Sequence, residues 1–391
     1  MPDRTVPRGV VPLLFAAMAI FVVTVVMGIL NGTDLVDLPH GALLAHVHSG
    51  TLGWITLSIF AAAAWIYGAA DMPRLLRDGS IVAVVLYVAA FWADIDEVRP
   101  VAGTLMLASI VWFAVWVFRG RTARALTVPG LSILLASVNL VIGGVLGVVL
   151  GLAHAGLFDL SSEIAGAHPA MMVVGYLILA GVAVDEQLVD GPGTERLTRL
   201  GAWQAYLFFG AGIALVLGIL LDVQPLLGMN LLGEVIGVAF ALVRMRGEIA
   251  GAGWSSPGPA RFGAMSILWL VPAVGLIVYL IANYIEDFDQ VPVRLLLALD
   301  HSTFVGILTN AILGLLLVAT ARRRAIWVWA DQLVFWGVNL GLIGFVIGLI
   351  ADAPEIKRVS TPVMGAAILL GLVAAAMRLR ADEPDVVSAA G

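Results

Sequence analysis

Long apolar runs alternate along the chain with short polar connections. A helix needs roughly 20 apolar residues to cross a bilayer. Twelve runs of that kind lie near residues 10–30, 42–69, 79–94, 100–118, 128–153, 163–184, 201–221, 225–243, 262–285, 293–320, 326–350 and 360–378. No polar stretch between them is long enough for a separate soluble domain. The pattern therefore predicts an all-α integral membrane protein, with twelve transmembrane helices in one domain over residues 1–391.

The composition supports the same fold class. Apolar residues make up 61% of the chain and charged residues only 12%, whereas soluble domains carry about 25% charged residues. One core of this size cannot hide so much apolar surface, so lipid must solvate most of it. The first run, 10–30, is too long for the apolar part of a signal peptide and is expected to be a retained span. Cysteine is absent, which excludes disulfides, thiolate metal sites and cysteine nucleophiles.

The distribution of basic residues predicts the orientation of the helices. If the N-terminus is cytoplasmic, 17 of the 21 Lys and Arg residues fall in inner segments. Only Arg99, Arg294, Lys357 and Arg358 fall in outer segments, which are otherwise acidic. Because basic loops stay in the cytoplasm, both ends of the chain are predicted to be cytoplasmic. We therefore expect a multi-pass protein of the cytoplasmic membrane, with the lipid bilayer as a partner and no nucleic-acid partner.

The histidines recur at a regular interval along the predicted spans. The six are His40, His46, His48, His154, His168 and His301. Four of them lie inside the second, sixth and tenth spans, so the interval is four helices each time. This spacing predicts three quasi-equivalent four-helix units, near residues 1–125, 126–247 and 248–391. With a rise of about 1.5 Å per residue, all six histidines are expected in the outer half of the membrane.

An intramembrane histidine is costly unless it has a partner. Neutral imidazole is a common ligand for metals, including haem iron, although a histidine can also simply hydrogen-bond a neighbouring helix. His46 and His48 are two residues apart, which corresponds to about 200° of rotation around a helix. Their rings should therefore leave opposite sides of the second helix. They cannot readily bind one ion together, but they can serve two different centres.

Two short stretches resemble known families of haem proteins. The stretch 45–54, AHVHSGTLGW, resembles the HVHSGALGW signature on the tenth helix of C-family (cbb-type) haem–copper oxidases. In that family the first histidine of the signature ligates a high-spin haem and the second a low-spin haem. The stretch 301–306, HSTFVG, is similar to histidine helices in the NnrS family, whose haem- and copper-containing membrane proteins are tied to nitric oxide tolerance.

The resemblance implies a set of haem ligands. If the second span takes the role of the family's tenth helix, His48 and His168 are the axial ligands of one b-type haem. His46 ligates a second haem b, whose distal side faces His301. The protein is then a haem-binding relative of oxidase subunit I, acting in electron transfer or in binding or reducing nitric oxide or oxygen. Any enzyme activity would be that of an oxidoreductase acting on a diatomic gas or a quinol. A quinol or cytochrome electron donor and further subunits are left open.

The chain also departs from the family pattern. The signature lies on the second span instead of the tenth. The histidine pair that binds copper on the family's seventh helix has no counterpart, because the seventh span begins GAWQAY, residues 201–206. A full copper site is therefore not expected, although copper as a second metal is left open.

Three acidic residues are candidate accessory groups. Asp300 adjoins His301 and could orient a histidine, accept a proton or lie near a propionate, or it could be a structural acid that is protonated or paired with Arg294. Glu163 is expected to be a solvated residue at a helix start, five residues before His168. Glu234 lies near the middle of the eighth span, where a proton-relay role is conceivable.

Small residues and a proline accompany the histidines. Gly143, Gly147 and Gly151 form a ridge on the fifth span that predicts close helix packing. The glycines near the histidines either pack helices or leave room for a flat macrocycle; they are Gly50, Gly53, Gly166 and Gly306. Pro169, directly after His168, is expected to bend or start the sixth helix.

A transporter of metal ions or protons is the alternative function. The histidines and Asp300 would then line a pathway across the membrane. Transporter repeats usually come as two inverted halves, whereas the histidine interval predicts three units. The histidines also cluster in the outer half, and only Glu234 and Asp331 continue the polar path inward. The haem interpretation is therefore favoured.

Overall fold

The computed structural model describes residues 5–68, 72–120, 126–284, 290–324 and 326–381. Over these residues the protein has 12 helices that are long and apolar enough to cross a membrane. This confirms the predicted all-α, polytopic fold class. The helices are α1 Arg8–Gly32, α2 His40–Ile66, α3 Arg74–Trp92, α4 Arg99–Gly120, α5 Val128–His154, α6 Ser162–Leu188, α7 Arg199–Leu221, α8 Gln224–Arg244, α9 Pro259–Tyr284, α10 Val293–Thr320, α11 Ala330–Ile350 and α12 Pro354–Arg380.

Two helices begin earlier than the predicted spans, because their first turns contain charged residues. Helix α3 begins at Arg74 and α12 at Pro354, five and six residues earlier than predicted. A hydropathy window excludes the basic residues of these first turns, although long basic side chains can sit at a membrane boundary. Six charged residues used for the orientation lie outside the described residues, as do the predicted ends at 69 and 285; the six are Arg4, Arg121, Arg124, Glu286, Asp287 and Asp289.

Three of the helices form the centre of the bundle. The most apolar windows of α2, α6 and α10 are 83%, 72% and 78% buried, whereas those of the other nine described spans are between 33% and 56% buried. The three central helices also pack against one another. A helix that is apolar on all sides belongs in a protein interior, and the run of four alanines at 61–64 lets neighbours approach α2 closely. The histidine-bearing spans are thus the core of the protein.

The outer helices close into a ring around this core. Helix pairs α3–α4, α7–α8 and α11–α12 pack side by side. The contacts α4–α5, α8–α9 and α12–α1 occur at corresponding positions between the predicted four-helix units. These repeated contacts match the threefold arrangement that the histidine interval predicts.

Each central helix contains a π-helical segment close to its histidine. The segments are Ser49–Thr56 in α2, Met171–Leu177 in α6 and Ser302–Thr309 in α10. They begin directly after His48 and His301, and three residues after His168. Segments of π-helix are rare and are found frequently at functional sites. Because such a segment recurs beside the histidines of all three central helices, we expect the functional site at this depth of the bundle.

Proline affects α6 inside the helix, not at its start. Helix α6 begins at Ser162, where the Ser161 hydroxyl caps the first turn by accepting from the Ile164 N–H. Pro169 therefore lies within the helix. Because proline removes a backbone donor, the regular hydrogen bonding is interrupted there, and the π-helical segment begins two residues later.

Buried side-chain hydrogen bonds join the central helices through their π-helical segments. The Trp54 indole N–H donates to the Thr309 hydroxyl at 3.0 Å, which links α2 to α10. The Tyr176 hydroxyl donates to the Thr56 hydroxyl at 3.4 Å, which links α6 to α2. Interhelical hydrogen bonds of this kind stabilise helix association in membranes. They fix the rotation of the three helices that carry the histidines.

Candidate functional site

A cavity of about 430 Å³ lies between α1, α2, α10, α11 and α12. His46 and His301 both line it, and so does Asp300. Its wall is mainly apolar and aromatic, as in small-molecule and cofactor sites of similar volume. The aromatic lining residues are Phe21, Trp54, Phe304 and Phe345. The structure thus brings together two histidines that are 255 residues apart in the chain.

His301 is held in one tautomer by its own helix. Its Nδ1 atom lies 2.8 Å from the carbonyl oxygen of Leu297, one turn earlier. A carbonyl oxygen only accepts hydrogen bonds, so Nδ1 must carry the proton. In the neutral ring the Nε2 atom then has a free lone pair, which is the form that binds metals. The ring also contacts Phe345, with 4.6 Å between the ring centroids.

His48 is fixed in the same way on the other side of α2. Its Nδ1 atom lies 2.8 Å from the carbonyl oxygen of Leu44, again one turn earlier. Its ring is stacked on Phe91 of α3, with centroids 4.1 Å apart. Tyr87 meets it edge-on at 5.3 Å. The ring is therefore held by both polar and aromatic contacts, with Nε2 as the nitrogen that is free to accept.

His168 has the same tautomer, but its partner belongs to a neighbouring helix. Its Nδ1 atom lies 2.9 Å from the carbonyl oxygen of Gly143 on α5. One turn further along α5, a Cβ atom on Gly147 would lie 2.8 Å from Cε1 of the imidazole. The glycine ridge on α5 therefore does more than pack two helices, because it also supplies the acceptor and the space for His168.

Replacing Gly147 with alanine is expected to lower the free energy of unfolding by about 1–3 kcal/mol, the usual cost of overpacking. The added methyl group meets the His168 ring closer than side chains normally approach. Thermal or denaturant unfolding of the purified protein in detergent, followed by circular dichroism, measures the change.

Gly151→Ala is the matched control for this substitution. It lies one turn away on the same helix and gains the same helix propensity. Its new Cβ atom would meet Pro100 at 3.4 Å, an ordinary contact. Equal stability of the two variants would contradict the close packing of Gly147 against His168.

His46 is the exception among the four intramembrane histidines. Its Nδ1 atom is buried and forms no hydrogen bond with any residue that the structure describes, although its ring faces the backbone of Thr24. A Cβ atom on Gly28 of α1 would lie 3.2 Å from its Cε1 atom. A buried ring nitrogen without a partner is unusual and calls for an explanation.

The four histidines form two pairs across the central helices. His46 of α2 and His301 of α10 lie close enough to interact electrostatically, and both line the cavity. His48 of α2 and His168 of α6 also interact electrostatically. Helix α2 therefore offers one imidazole to each neighbour, as the spacing of His46 and His48 predicts. His40 and His154 lie apart from these pairs, exposed at the first residue of α2 and the last residue of α5.

Charged residues surround the mouth of the cavity. Asp34 accepts hydrogen bonds from Lys357 at 2.8 Å and from Arg358 at 2.7 Å. These two bonds, the one from Lys357 first, lower the pKa of the Asp34 carboxyl. Asp34 and Lys357 line the cavity, so its opening lies at the end of the bundle where α1 ends and α12 begins.

Arg294 does not pair with Asp300, so the alternative of an Arg294-paired structural acid is wrong, whereas a protonated structural acid stays an alternative. Its guanidinium donates to the carbonyl oxygens of Leu349 and Ile350, and it lies 3.7 Å from the Asp352 carboxylate. Asp300 instead lines the cavity beside His301.

The other two candidate acids have different environments. Glu163 is exposed in the first turn of α6, where it accepts a hydrogen bond from Ser162. This position fits the expected helix-start residue. Glu234 is completely buried in α8, and neither carboxyl oxygen has a hydrogen-bond partner among the described residues. Its burial is consistent with a proton-binding role, which stays a prediction.

Two acidic residues of the opposite half of the bundle were not anticipated from the sequence. Asp185 and Glu186 are completely buried near the end of α6, and Glu186 forms an ion pair with Arg244. The predicted sixth span stopped at residue 184, so both acids fell just outside it. The expectation that only Glu234 and Asp331 continue the polar path inward is therefore wrong. Asp331 itself pairs with Arg378 at 2.8 Å.

The glycines near the histidines mainly pack against side chains of other helices. A Cβ atom on Gly53 would collide with Ile20, and one on Gly306 would lie 2.7 Å from the Trp269 ring. Gly166 faces Ile219 more loosely, at 3.6 Å. The packing interpretation therefore holds for these three positions, whereas Gly50 also lines the cavity.

A metal site made only of side chains is not found in the part of the chain that the structure describes. No group there brings together three or more His, Asp or Glu residues that could hold a metal ion. Haem iron needs only one or two protein ligands, so the paired histidines are compatible with haem. No protein-family model matches the chain, and a search of curated proteins found no match either.

Proposed function

We propose that this protein binds two b-type haems and acts as a membrane haem protein in electron transfer or in the binding or reduction of nitric oxide or oxygen. The observation that carries the proposal is the state of the histidine rings. In His48, His168 and His301 the Nδ1 atom bonds a backbone carbonyl oxygen. Metal-ligating histidines are commonly held in this way, which orients the ring and leaves Nε2 for the metal.

The pairing of the rings supports one haem between α2 and α6. His48 and His168 would hold its iron. The aromatic rings of Phe91 and Tyr87 beside His48 exclude water from that side. Two histidine ligands leave no open position on the iron, so this haem would carry electrons.

The cavity supports a second haem with an open position. His46 would ligate its iron, since it lines the cavity. His301 would face the open side, with Asp300 next to it as a group that can hold a proton. Bound haem supplies one-electron chemistry and a site for a diatomic gas, while the protein sets ligation, access and burial.

The partners and location follow from the same proposal. The protein would lie in the cytoplasmic membrane with its haems toward the outer face, because basic residues predict an inner N-terminus. Electrons would come from a quinol or a cytochrome, and further subunits could complete the electron path. Copper is not required by this scheme.

Haem content is the decisive test. Protein purified after expression with ample haem should be red and show a Soret band. A pyridine haemochrome assay should give close to two haems b per chain, and metal analysis should find iron in the same ratio. Colourless protein without iron would overturn the proposal.

A transporter of metal ions or protons is the second candidate, and one observation favours it. The cavity reaches exposed residues at one end of the bundle, whereas ion pairs Arg244–Glu186 and Arg378–Asp331 lie at the other end. A pathway open to one side is what alternating access requires. Uptake of a metal ion or protons into vesicles that contain the colourless protein, abolished in His301→Ala, would establish this function instead.

A further inference from the structure

Asp185 is a buried acid that the proposed haem sites do not use. It lies on α6, three residues before the helix ends. Its side chain is completely buried. One carboxyl oxygen, Oδ2, lies 2.6 Å from the hydroxyl oxygen of Ser266 on α9. The other, Oδ1, has no hydrogen-bond partner within the described part of the chain.

Ser266 contacts two oxygen atoms at the same time. Besides Asp185, its hydroxyl oxygen lies 2.8 Å from the carbonyl oxygen of Ile307 on α10. Both distances are normal for O–H···O hydrogen bonds. A serine hydroxyl has only one proton to donate, and a carbonyl oxygen has none. Both bonds can therefore form together only if Asp185 carries a proton and donates it to Ser266.

Among the residues that the structure describes, the charged groups around Asp185 do not offer a compensating cation. On its own helix, Glu186 is paired with Arg244 of α8. On α9, Arg261 donates to Gln332 and lies over the Phe335 ring, 4.4 Å from its centroid. The facing segments Leu57–Ile66 of α2 and Asn310–Thr320 of α10 contain no titratable residue. An ionised Asp185 carboxylate would therefore be buried without a positively charged partner, which is strongly unfavourable.

Ile307 connects this acid to a histidine helix. It belongs to the π-helical segment Ser302–Thr309, which begins directly after His301. Two residues further on, Thr309 accepts the hydrogen bond from Trp54 and lines the cavity. A change in the hydrogen bonding at Ile307 therefore acts on the segment that positions one wall of the cavity.

We propose that Asp185 is a reversible proton-binding site whose occupancy controls the hydrogen bonding of the π-helical segment in α10. With the proton bound, Asp185 donates to Ser266 and Ser266 donates to Ile307. When the proton leaves to solvent, a carboxylate remains, and the Ser266 hydroxyl turns to it. The Ile307 carbonyl oxygen then loses the Ser266 hydroxyl and keeps a main-chain donor, the N–H of Asn310. The site thus links proton concentration to the helix that carries His301, whether or not haem is bound.

Infrared spectroscopy of the purified protein tests the first half of this proposal. The wild-type protein at neutral pH should show the carbonyl stretching band of a buried protonated carboxyl, and Asp185→Asn should remove it. Glu234→Gln is the matched control, because it removes another fully buried acid and should leave the Asp185 band in place. If Asp185→Asn leaves the spectrum unchanged, the acid is ionised and the proposal is overturned.

Variants of Ser266 give a second test if Asp185→Asn does not fold. Ser266→Ala removes the acceptor, so the Asp185 band should shift to the higher frequency of a free acid. Ser266→Thr keeps a hydroxyl and should leave the band close to its wild-type frequency. An unshifted band in Ser266→Ala would show that the two side chains do not interact and would contradict the proposal.

Hydrogen exchange measured by mass spectrometry tests the link to α10. At alkaline pH, once the band has disappeared, amides in peptides that cover 302–310 should exchange several-fold faster in the wild-type protein than in Asp185→Asn. The asparagine amide stays neutral and continues to donate to Ser266 at every pH. Peptides from α11 should show no such difference. Equal exchange of 302–310 in the two proteins at every pH would overturn the link.

Discussion

Replacing either His48 or His168 with alanine is expected to abolish the low-spin haem signal and to reduce the haem content from two per chain to one. His48 lies on α2 and His168 on α6, close enough to interact electrostatically. Each ring is fixed by a hydrogen bond from Nδ1 to a backbone carbonyl oxygen. A haem held by two histidines would lose one of its two attachments to the protein and should be lost on purification, so that its low-spin signal disappears with it. Optical and electron paramagnetic resonance spectra of the purified variants measure the loss.

His40→Ala and His154→Ala are the controls for these variants. Both residues are exposed at helix ends and lie outside the two pairs. They should leave the spectrum unchanged. A low-spin signal that persists in both His48→Ala and His168→Ala would refute the pairing, and its loss in His46→Ala alone would assign the low-spin haem to the cavity instead.

Replacing Glu186 with alanine is expected to lower the free energy of unfolding by about 3–5 kcal/mol, the cost of breaking a buried ion pair by removing one partner. The side chains of Glu186 and Arg244 are only 1% and 4% exposed. Without Glu186, the Arg244 guanidinium keeps the Gln204 side-chain oxygen, 2.7 Å away, but has no counter-charge. Unfolding of the purified protein in mixed detergent micelles measures the difference.

The double variant Glu186→Met, Arg244→Met separates a lost interaction from an uncompensated charge. It removes both charges and should recover most of the stability that Glu186→Ala loses, since apolar residues often replace a buried ion pair at little cost. Asp78→Ala breaks the pair with Arg77, in which Asp78 is 56% exposed, and should cost at most about 1 kcal/mol. If Glu186→Ala loses no more stability than Asp78→Ala does, water must reach the Arg244 site.

The helices could be predicted from the sequence because a bilayer imposes a length and a composition that each span must satisfy on its own. The sequence also singled out the second, sixth and tenth helices, because His48, His168 and His301 are separated by four helices each time. The apolar character of these spans does not distinguish them from lipid-facing ones, so their central position needed the structure.

The detailed geometry of the site depends on contacts between distant segments. The partner of His168 is a carbonyl oxygen on α5, and a backbone carbonyl is present at every residue. The three π-helical segments share a glycine at their fifth residue, but glycine is frequent along the whole chain and does not by itself predict a π-helix. The segments are stabilised in part by side chains such as Trp54 and Tyr176. Asp185 and Glu186 were missed for a simpler reason, because a hydropathy window ends a span at the first adjacent charges.

The contact between α12 and α1 makes the order of the outer helices cyclic. Packing in such an arrangement does not depend on which unit comes first along the chain, since each junction between units is made in the same way. A chain that began with α5 or α9 would reach the same neighbours, provided that α12 were joined to α1. Two proteins of this architecture could therefore place equivalent histidines on helices with different ordinal numbers, and only a superposition that ignores chain order would reveal the correspondence.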